Sequence, residues 1–385
     1  MPAAKRTIVQ GSAQDEQLVG GNGADDLFGD TTASLSAVDD FSVLIGSSDT
    51  LDGGNGKDRL YGDAGLAFHA DGFFETVRGG NDLLAGGNGE DQLFGDAGTD
   101  LLANFSNRAF GGDDIQAGGN GRDQLFGDAG NNMIAQAEAA IAGGNDRLDG
   151  ELGDDVLVGD AGNSIISNET HGTARGGSDL ISGGKGNDLV YGDAASEIAA
   201  RQFHSFAAGG DDRIYGEQGN DTLYGDARAL TVLGPDQTAL GGNDLLDGGT
   251  GNDLLVGDAD VMSAEALGGN DTLAGGGGND SLFGDSRSSP GALGGDDLLD
   301  GGAGNDFLLG GGGADVFRFA PAESAGRDHI ADFTPGQDQL TGFEIGDVRS
   351  SETVGRDLVL KFSSGSQLVL EGIGGLAPEP GWFLV

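Results

Sequence analysis

Apolar residues recur along most of the chain in short triplets of the form x-Leu-x, and each triplet follows a hexapeptide rich in glycine and aspartate. Side chains alternate along an extended strand, so the leucine of each triplet points inward and its two neighbours point outward. A three-residue strand cannot bury its leucine alone, whereas stacked copies bury a continuous ladder of them. The pattern therefore predicts an all-β solenoid of short strands joined by tight turns.

The unit of this pattern is the nonapeptide Gly-Gly-x-Gly-x-Asp-x-Leu-x, which occurs eleven times with some variation at the second glycine. The first eight copies start 32 or 33 residues apart, and the last spacings fall to 27, 26 and 9 residues. The sixth position is aspartate in every copy: Asp25, Asp58, Asp91, Asp123, Asp155, Asp188, Asp221, Asp253, Asp280, Asp306 and Asp315. A residue that never varies across eleven copies indicates a chemical role beyond turn formation.

Two satellite motifs accompany the nonapeptide. A seven-residue version precedes the central copies and carries its own aspartate: Asp49, Asp82, Asp114, Asp146, Asp179, Asp212, Asp244, Asp271 and Asp297. Gly-Asp, usually followed by Ala, comes after the nonapeptide, and in one unit it continues as a further nonapeptide with Asp100 in sixth position. Variable spacers such as 68–77 and 197–208 fill the rest. If each unit makes two coils at the usual sheet spacing, the rod is about 80–90 Å long.

The charge of the chain changes the picture from a scaffold to a cation site. Acidic residues number 64 against 19 basic ones, which gives a net charge of −45 in 385 residues, 78 of them glycine. Such a charge is typical of disorder, but here the aspartates are evenly spaced beside apolar residues. Stacked carboxylates about 5 Å apart repel one another strongly. We therefore expect the metal-free chain to be largely unfolded and a bound cation to fold it.

Calcium is the expected cation, because six to eight oxygen ligands with flexible geometry are what Ca²⁺ prefers, whereas Mg²⁺ demands a tighter octahedron. Transition metals favour His and Cys, and the chain has four His and no Cys. His69, His171 and His204 fall in variable spacers, where we interpret them as solvated side chains. The predicted ligands are the sixth-position aspartates, Asp100, the satellite aspartates, and the turn amides Asn22, Asn55, Asn88 and Asn120.

Several other functions are not expected. Phosphate binding needs clusters of Lys and Arg, so nucleic acid is a poor partner. Spanning helices and an N-terminal cleavable signal peptide are not predicted, because no long apolar run occurs. The sequence lacks His-Glu-x-x-His and Gly-x-Ser-x-Gly, and no Ser or Thr follows the lysine of Gly183-Gly184-Lys185-Gly186, so we expect no enzyme.

With these motifs, residues 11–319 resemble the RTX (repeats-in-toxin) family of calcium-binding proteins, for which this nonapeptide is the known signature. The resemblance implies a right-handed parallel β-roll with Ca²⁺ between successive turns, held by the sixth-position aspartate and turn carbonyls. It also implies export by the type I secretion apparatus of a Gram-negative bacterium. The unbroken nine-residue step of that family occurs here only at a few places, such as 301 to 310. Residues 1–10 are predicted to be a tail.

Residues 320–385 differ in kind, and alternating apolar residues predict strands at 338–343, 357–362 and 367–373. The segments 312–319, 328–333 and 336–340 resemble the C-terminal module of serralysin-type proteases, which implies a β cap that carries an uncleaved secretion signal. Two functions remain open at this point. The chain is either a secreted structural, matrix or surface-associated protein, or an effector or adhesin that binds a host or surface partner through its spacers.

Overall fold

The computed structural model, which describes residues 7–37, 43–70, 74–234, 236–289, 293–322 and 326–384, is a solenoid of four parallel β-sheets, named A to D here. Sheets A and B run its length, and sheets C and D accompany them over most of it. Within a full coil the chain passes from sheet B to A, then to C, D and back to B. Each strand pairs in parallel with its equivalent one coil later, as Leu93 does with Leu125 and Ala109 with Ile141. The predicted parallel β-roll is therefore confirmed.

The strands of each sheet are given in spatial order. Sheet A comprises Thr7–Gln10, Asp25–Phe28, Arg59–Tyr61, Gln92–Phe94, Gln124–Phe126, Val156–Val158, Leu189–Tyr191, Thr222–Tyr224, Leu254–Val256, Ser281–Phe283, Phe307–Leu309, Arg327–Ile330, Gln367–Leu370, Asp357–Phe362 and Val348–Val354. Sheet B comprises Gln17–Gly21, Thr50–Gly54, Leu83–Gly89, Ile115–Gly121, Arg147–Leu152, Leu180–Lys185, Arg213–Gln218, Leu245–Asp247, Thr272–Ala274, Leu298–Asp300, Val316–Arg318 and Gln339–Thr341.

The two smaller sheets are built from the spacers. Sheet C comprises Leu35–Ala37, Phe68–Ala70, Leu101–Ala103, Asn132–Ala135, Ser164–Ser167, Ala194–Ala200, Ala227–Val232 and Ala259–Met262. Sheet D comprises Val43–Ile45, Thr76–Arg78, Arg108–Phe110, Ala140–Ala142, Thr173–Arg175, Phe206–Ala208 and Thr238–Leu240. Two single-turn 3₁₀ helices, Ile345–Asp347 and Pro380–Trp382, complete the described elements. None of the described helices is long and apolar enough to cross a membrane.

Each unit of 32 or 33 residues makes one large coil, whereas the sequence suggested two. The spacer does not form a coil of its own, because its strands extend the same coil sideways into sheets C and D. Twelve strands in sheet B, at the usual spacing between strands, correspond to a rod about 50 Å long. The expected length of about 80–90 Å was therefore wrong, and the molecule is shorter and wider than the repeat alone suggested.

The first hydrophobic core lies between sheets A and B and consists of the predicted ladder. Leu93 and Leu125 line the sheet A side, Leu84 and Leu148 line the sheet B side, and all four are buried. Gln116 is the exception, because it occupies the inward position of its strand next to Leu84. The ladder continues through the later coils, so one apolar column connects the whole rod.

A second core, which the sequence did not predict, lies between sheets C and D. The alanines of the Gly-Asp-Ala motif form one side of it, as Ala97 and Ala129 do, and they are fully buried. Larger side chains such as Phe68, Met133 and Ile165 fill the inner face of sheet C. Each large coil therefore encloses two separate apolar columns, with the Gly-Asp pairs at the junction between them.

The coils shorten toward the C-terminus, where the motif spacing falls. Sheet D has no described strand after Thr238–Leu240 and sheet C none after Ala259–Met262. Leu298 pairs with Val316, so that coil contains only 18 residues and two strands. The rod ends in the strands Val348–Val354, Asp357–Phe362 and Gln367–Leu370, which pair antiparallel to one another on the edge of sheet A. The predicted C-terminal β cap is therefore present.

The cap is closed by aromatic side chains. Phe343 packs edge-to-face against Phe362, with 4.9 Å between ring centroids, and Phe333 lies 5.5 Å from Trp382. Trp382 belongs to the same apolar cluster as the leucine ladder. At the opposite end, Thr7–Gln10 pairs with Asp25–Phe28. Sheet A thus begins inside the predicted tail, of which residues 1–6 lie outside the described residues.

Candidate metal centres

A first column of carboxylates, the outer row, follows the turns that lead from sheet B to sheet A. It contains Asp25, Asp58, Asp91, Asp123, Asp155, Asp188, Asp221, Asp253, Asp280, Asp306 and Asp328. In each step the backbone N–H of one aspartate donates to Oδ1 of the next, as Asp91 does to Asp123 at 2.7 Å. This bond fixes one carboxylate oxygen per coil and leaves the other for a ligand.

The second oxygen of these carboxylates faces the turns. Oδ2 of Asp91, Asp123 and Asp155 is buried and has no hydrogen-bond partner. A Cβ atom on Gly86 would lie 2.6 Å from the carbonyl oxygen of Gly118 and 2.9 Å from Oδ2 of Asp91, so glycine is required there. The turns therefore bring carboxylate and carbonyl oxygens together without a side chain between them.

A second column, the inner row, runs through the junction between the two cores. Its first members are the satellite aspartates, from Asp49 to Asp297, followed by Asp315 and Asp338. Its other members are the aspartates of the Gly-Asp motif: Asp30, Asp63, Asp96, Asp128, Asp160, Asp193, Asp226, Asp258 and Asp285. All of these side chains are buried, so the row is a carboxylate column inside the protein.

Seven consecutive aspartates of the inner row, from Asp63 to Asp160, form three triads that each join two coils. Asp63, Asp82 and Asp96 place one oxygen each within 4.8 Å of the others. The same holds for Asp96, Asp114 and Asp128, and for Asp128, Asp146 and Asp160. Since consecutive triads share a Gly-Asp residue, each coil contributes two carboxylates, and one divalent cation per coil balances that charge.

Hydrogen bonds hold the triads open toward a ligand. Oδ2 of Asp96 accepts the backbone N–H of Gly112 at 2.9 Å, and Oδ1 of Asp114 accepts that of Asp82 at 2.6 Å. The remaining oxygens, Oδ1 of Asp96 and Oδ2 of Asp114, are buried without a partner. Unpartnered buried oxygens are expensive, and a cation that accepts their lone pairs removes the cost.

Burial makes several carboxylates in each row harder to ionise when no cation is present. Burial raises the pKa of Asp123 to about 6 and that of Asp155 to about 7 in the outer row. In the inner row burial, and after it the charges of neighbouring aspartates, raise the pKa of Asp96 and Asp114 well above the ordinary value. A divalent cation lowers this electrostatic cost. Hard oxygen ligands in this number and spacing fit Ca²⁺.

The structure separates the predicted ligands into three groups. The sixth-position aspartates from Asp25 to Asp306 line the outer row. The satellite aspartates line the inner row, and Asp315 joins them there, because its coil has no spacer and the final nonapeptide returns to sheet B. Asp100 belongs to neither row. It lies at the start of a sheet C strand, where its Oδ1 accepts N–H groups of Asn131 and Asn132.

The predicted asparagine ligands form a ladder of their own. Nδ2 of Asn55 donates to Oδ1 of Asn22, and Asn88 and Asn120 repeat the bond at 2.9–3.0 Å. These side chains are exposed, and the amide oxygens of Asn22, Asn55 and Asn88 each accept from the next coil. Their amide oxygens are therefore engaged along the outside of the turn.

The predicted ligands did not include the Gly-Asp aspartates, although the motif itself was visible and the structure places these carboxylates in the inner row. The signal was its constant position after each nonapeptide, together with an alanine that the second core requires. Asp328 and Asp338 in the C-terminal region were missed as well, because they fall outside the nonapeptide pattern. The N–H of Asp306 donates to the carboxylate of Asp328, and that of Asp315 donates to the carboxylate of Asp338, so both rows extend into the cap.

Comparison with known proteins agrees with this geometry. The sequence matches the family of the RTX calcium-binding nonapeptide repeat (4 copies) at residues 7–31, 46–65, 77–102, 108–135, 142–166, 173–196, 206–227, 238–261, 264–286 and 292–318. No curated protein matches the chain significantly.

Two solved structures are similar to parts of the chain. The AlgE6R3 subunit of the mannuronan C5-epimerase from Azotobacter vinelandii is 29% identical over 34% of this chain and 77% of that one, with a TM-score of 0.25. The extracellular lipase LipA from Serratia marcescens is 18% identical over 58% of this chain and 45% of that one, with a TM-score of 0.24.

Proposed function

Because the chain belongs to the family of RTX calcium-binding repeat proteins, we propose that it is secreted and folds into this rod when Ca²⁺ fills its two carboxylate rows outside the cell. The observation that supports this most directly is the series of buried carboxylate oxygens without partners along both rows. Calcium supplies the positive charge that these oxygens need, and the aspartates and glycine turns position it between coils. Weak sites act together here, since each ion joins two coils and favours the next.

A circular dichroism titration tests this proposal. The metal-free chain at neutral pH is expected to show coil, and Ca²⁺ is expected to produce a cooperative rise of β signal in the sub-millimolar to millimolar range, on the order of 10⁻⁴ to 10⁻³ M. Mg²⁺ at the same concentration serves as the matched control and is expected to give little signal. A chain that keeps its full β signal in excess chelator contradicts calcium-driven folding.

For the biological role we propose a structural, matrix or surface-associated protein. The rod is continuous and strongly acidic, and its two cores are closed by calcium rather than by disulfides. An effector or adhesin is the second candidate, supported by the exposed side chains at the turns between sheets C and D. Phe105 and Phe203 are more than half exposed there. Replacing these turns with Gly-Ser separates the two roles, because only an adhesin would lose a specific partner.

Export is proposed to follow the type I route, with the signal in residues 320–385. The support is the family membership together with the separate cap at this end of the rod. Deletion of residues from 320 onward is expected to abolish export and to weaken folding, since the cap covers the end of the first core. Secretion of the truncated chain at the normal level contradicts the signal assignment.

A further inference from the structure

The turns that connect sheet C to sheet D stack on one another along the side of the rod, and we name this stack the tip column. Its members occupy equivalent positions in successive coils: Phe74, Ser106, Glu138, His171, His204 and Asp236. All six have a positive φ, between 57° and 64°. This left-handed conformation is uncommon for residues other than glycine, and here it turns each side chain outward in the same way.

Two histidines are neighbours in the tip column. The rings of His171 and His204 are parallel within 2°, and their centroids are 5.0 Å apart. The N–H of His171 donates to the carbonyl oxygen of Phe203 at 3.3 Å, and that of His204 to Asp236 at 3.0 Å, so the backbone holds the pair in register. Both rings are exposed. The chain has only four histidines, and two of them meet here although they are far apart in sequence.

Carboxylates stand on both sides of the histidine pair. Glu138 precedes it by one coil and Asp236 follows it by one coil, and both side chains are exposed. The column therefore reads acid, imidazole, imidazole, acid over four consecutive coils. Neutral imidazole nitrogens supported by a carboxylate are ligands that suit Zn²⁺, Cu²⁺ and Ni²⁺, whereas Ca²⁺ prefers oxygen alone.

We propose that His171 and His204 together bind one divalent transition-metal ion, such as Zn²⁺ or Ni²⁺, in the tip column on the side of the rod. A metal held at about 2.1 Å by two nitrogens requires them to be roughly 3.0–3.4 Å apart. In the proposed site the two exposed rings rotate to bring one nitrogen of each to that separation. A third ligand comes from a neighbouring coil of the column, either Asp236 or Glu138, whose Oε2 accepts the Ser106 hydroxyl at 3.2 Å in this structure. The negative charge of the protein raises the local concentration of cations around this site.

The site exists only in the folded rod. In an unfolded chain His171 and His204 are separated by a whole repeat, and only the stacking of coils brings their rings together. Transition-metal binding in the tip column is therefore coupled to the proposed calcium-dependent folding. It is chemically distinct from both carboxylate rows, because its main ligands are nitrogens.

Isothermal titration calorimetry tests the proposal: Ni²⁺ is titrated into the full chain in saturating Ca²⁺ at neutral pH. We expect one Ni²⁺ per chain, with the affinity reduced at least about tenfold in His171→Ala and in His204→Ala. His69→Ala is the matched control, since His69 lies in sheet C away from the tip column, and it is expected to bind as the unchanged chain does. Of Glu138→Gln and Asp236→Asn, the variant that removes the third ligand is expected to lose Ni²⁺ affinity, by a smaller factor than the histidine variants.

Two results would overturn the histidine site. One is equal Ni²⁺ affinity in the unchanged chain and in both histidine variants, as expected if Ni²⁺ only displaces Ca²⁺ from the rows. The other is no Ni²⁺ binding in the folded chain. Circular dichroism in Ca²⁺ shows that the variants fold. Ni²⁺ binding is measured in saturating Ca²⁺, where the chain is folded. A chain that also folds without calcium therefore refutes the folding proposal but does not affect the interpretation of Ni²⁺ binding.

Discussion

The two carboxylate rows are built from the same residue type but meet different electrostatic demands. The outer row contributes one aspartate per coil, and burial raises the pKa of Asp91 there to about 6. The inner row contributes two per coil, and its members are surrounded by each other. Burial and the charges of Asp114 and Asp128 raise the pKa of Asp96 well above the ordinary value. Position in the coil, rather than residue type, therefore decides how strongly a site depends on a cation.

The difference also has a structural side. An ion bound to the outer row would close a turn at the edge of the first core, whereas an ion bound to the inner row would lie between the two cores. Loss of an inner ion leaves buried like charges at the junction of sheets A, B, C and D, and no solvent is at hand to screen them. We therefore expect the inner row to control whether the wide coil closes at all.

The largest expected effect concerns pH in the absence of calcium. An aspartate whose pKa is raised in the folded chain stabilises that state below its ordinary value of about 4, and this stabilisation is lost as the pH rises through the raised value. For Asp91 and Asp155 that value is about 6 and about 7. The calcium-free chain is therefore expected to gain β structure when the pH falls from about 8 to about 5. Circular dichroism on dilute protein measures this.

The control for this measurement is the chain in saturating Ca²⁺, whose β signal is expected to stay constant from about pH 8 to about pH 5, since Ca²⁺ at the upper end and protons at the lower end both neutralise the carboxylates. If the calcium-free chain gives the same coil signal at both ends of the range, the carboxylates are not what keeps it unfolded. Repulsion among the carboxylates would then not distinguish the inner row from the outer row.

A pair of substitutions within one coil compares the rows directly. Asp96→Asn removes a charge shared by two triads, and we expect a loss of about 3 kcal/mol in the free energy of unfolding in Ca²⁺. Asp91→Asn keeps the acceptor for the N–H of Asp58 and removes one charge from the outer row. We expect it to lower the free energy of unfolding by about 1–2 kcal/mol. Denaturant unfolding in calcium measures both. Asp100→Asn, outside both rows, is the control and should change little.

Equal losses for Asp96→Asn and Asp91→Asn would show that the rows are energetically equivalent. A large loss for Asp100→Asn would show that the further nonapeptide with Asp100 in sixth position binds an ion, as its sequence suggested.

A smaller effect is expected from the one polar residue in the ladder of sheet B. Gln116 is buried, and its Oε1 has no hydrogen-bond partner. Its Nε2 donates to the carbonyl oxygen of Phe126 at 2.7 Å, but that oxygen also accepts the N–H of Gly95. Gln116→Leu is therefore expected to stabilise the protein by about 1–2 kcal/mol, seen as a higher Tm in Ca²⁺. Gln92→Leu, on the outer face of sheet A, is the control and should leave Tm nearly unchanged.

The smallest effect is expected from the asparagine ladder. Asn88→Ala removes two exposed amide bonds, to Asn55 and from Asn120, and should cost less than about 1 kcal/mol. The calcium dependence of folding should stay the same, because the amide oxygens already accept hydrogen bonds along the turn. A strong shift of the calcium midpoint would instead make Asn88 a ligand, as the sequence suggested.

Much of the first core and the outer row could be predicted from the sequence, because both follow from one strict period. Leu93 and Asp91 recur at fixed positions, and a stacked solenoid is the only arrangement that buries the first and aligns the second. The sequence groups Asp315 with the other sixth-position aspartates because its motif is complete. It lies in the inner row, since a motif shows the local turn but not which side of the coil that turn occupies.

The second core could not be predicted, because its strands have no common sequence. Phe68, Met133 and Ile165 occupy the same inward column, yet their neighbours vary from coil to coil. Backbone pairing with the coil on either side gives these strands their conformation, and that is a tertiary effect. The Gly-Asp ligands depend on the same geometry, so the missed core and the missed ligands have one cause.

The shortening of the coils toward the C-terminus has a consequence for the order of assembly. Closing an 18-residue coil costs less chain entropy than closing one of 32 or 33 residues, by about 0.5 kcal/mol. The aromatic cap offers a finished edge on which the first short coil can pair, and both carboxylate rows already begin inside it. We therefore expect the rod to nucleate at its narrow C-terminal end and to grow one coil at a time toward the N-terminus, with each new layer templated by the one before.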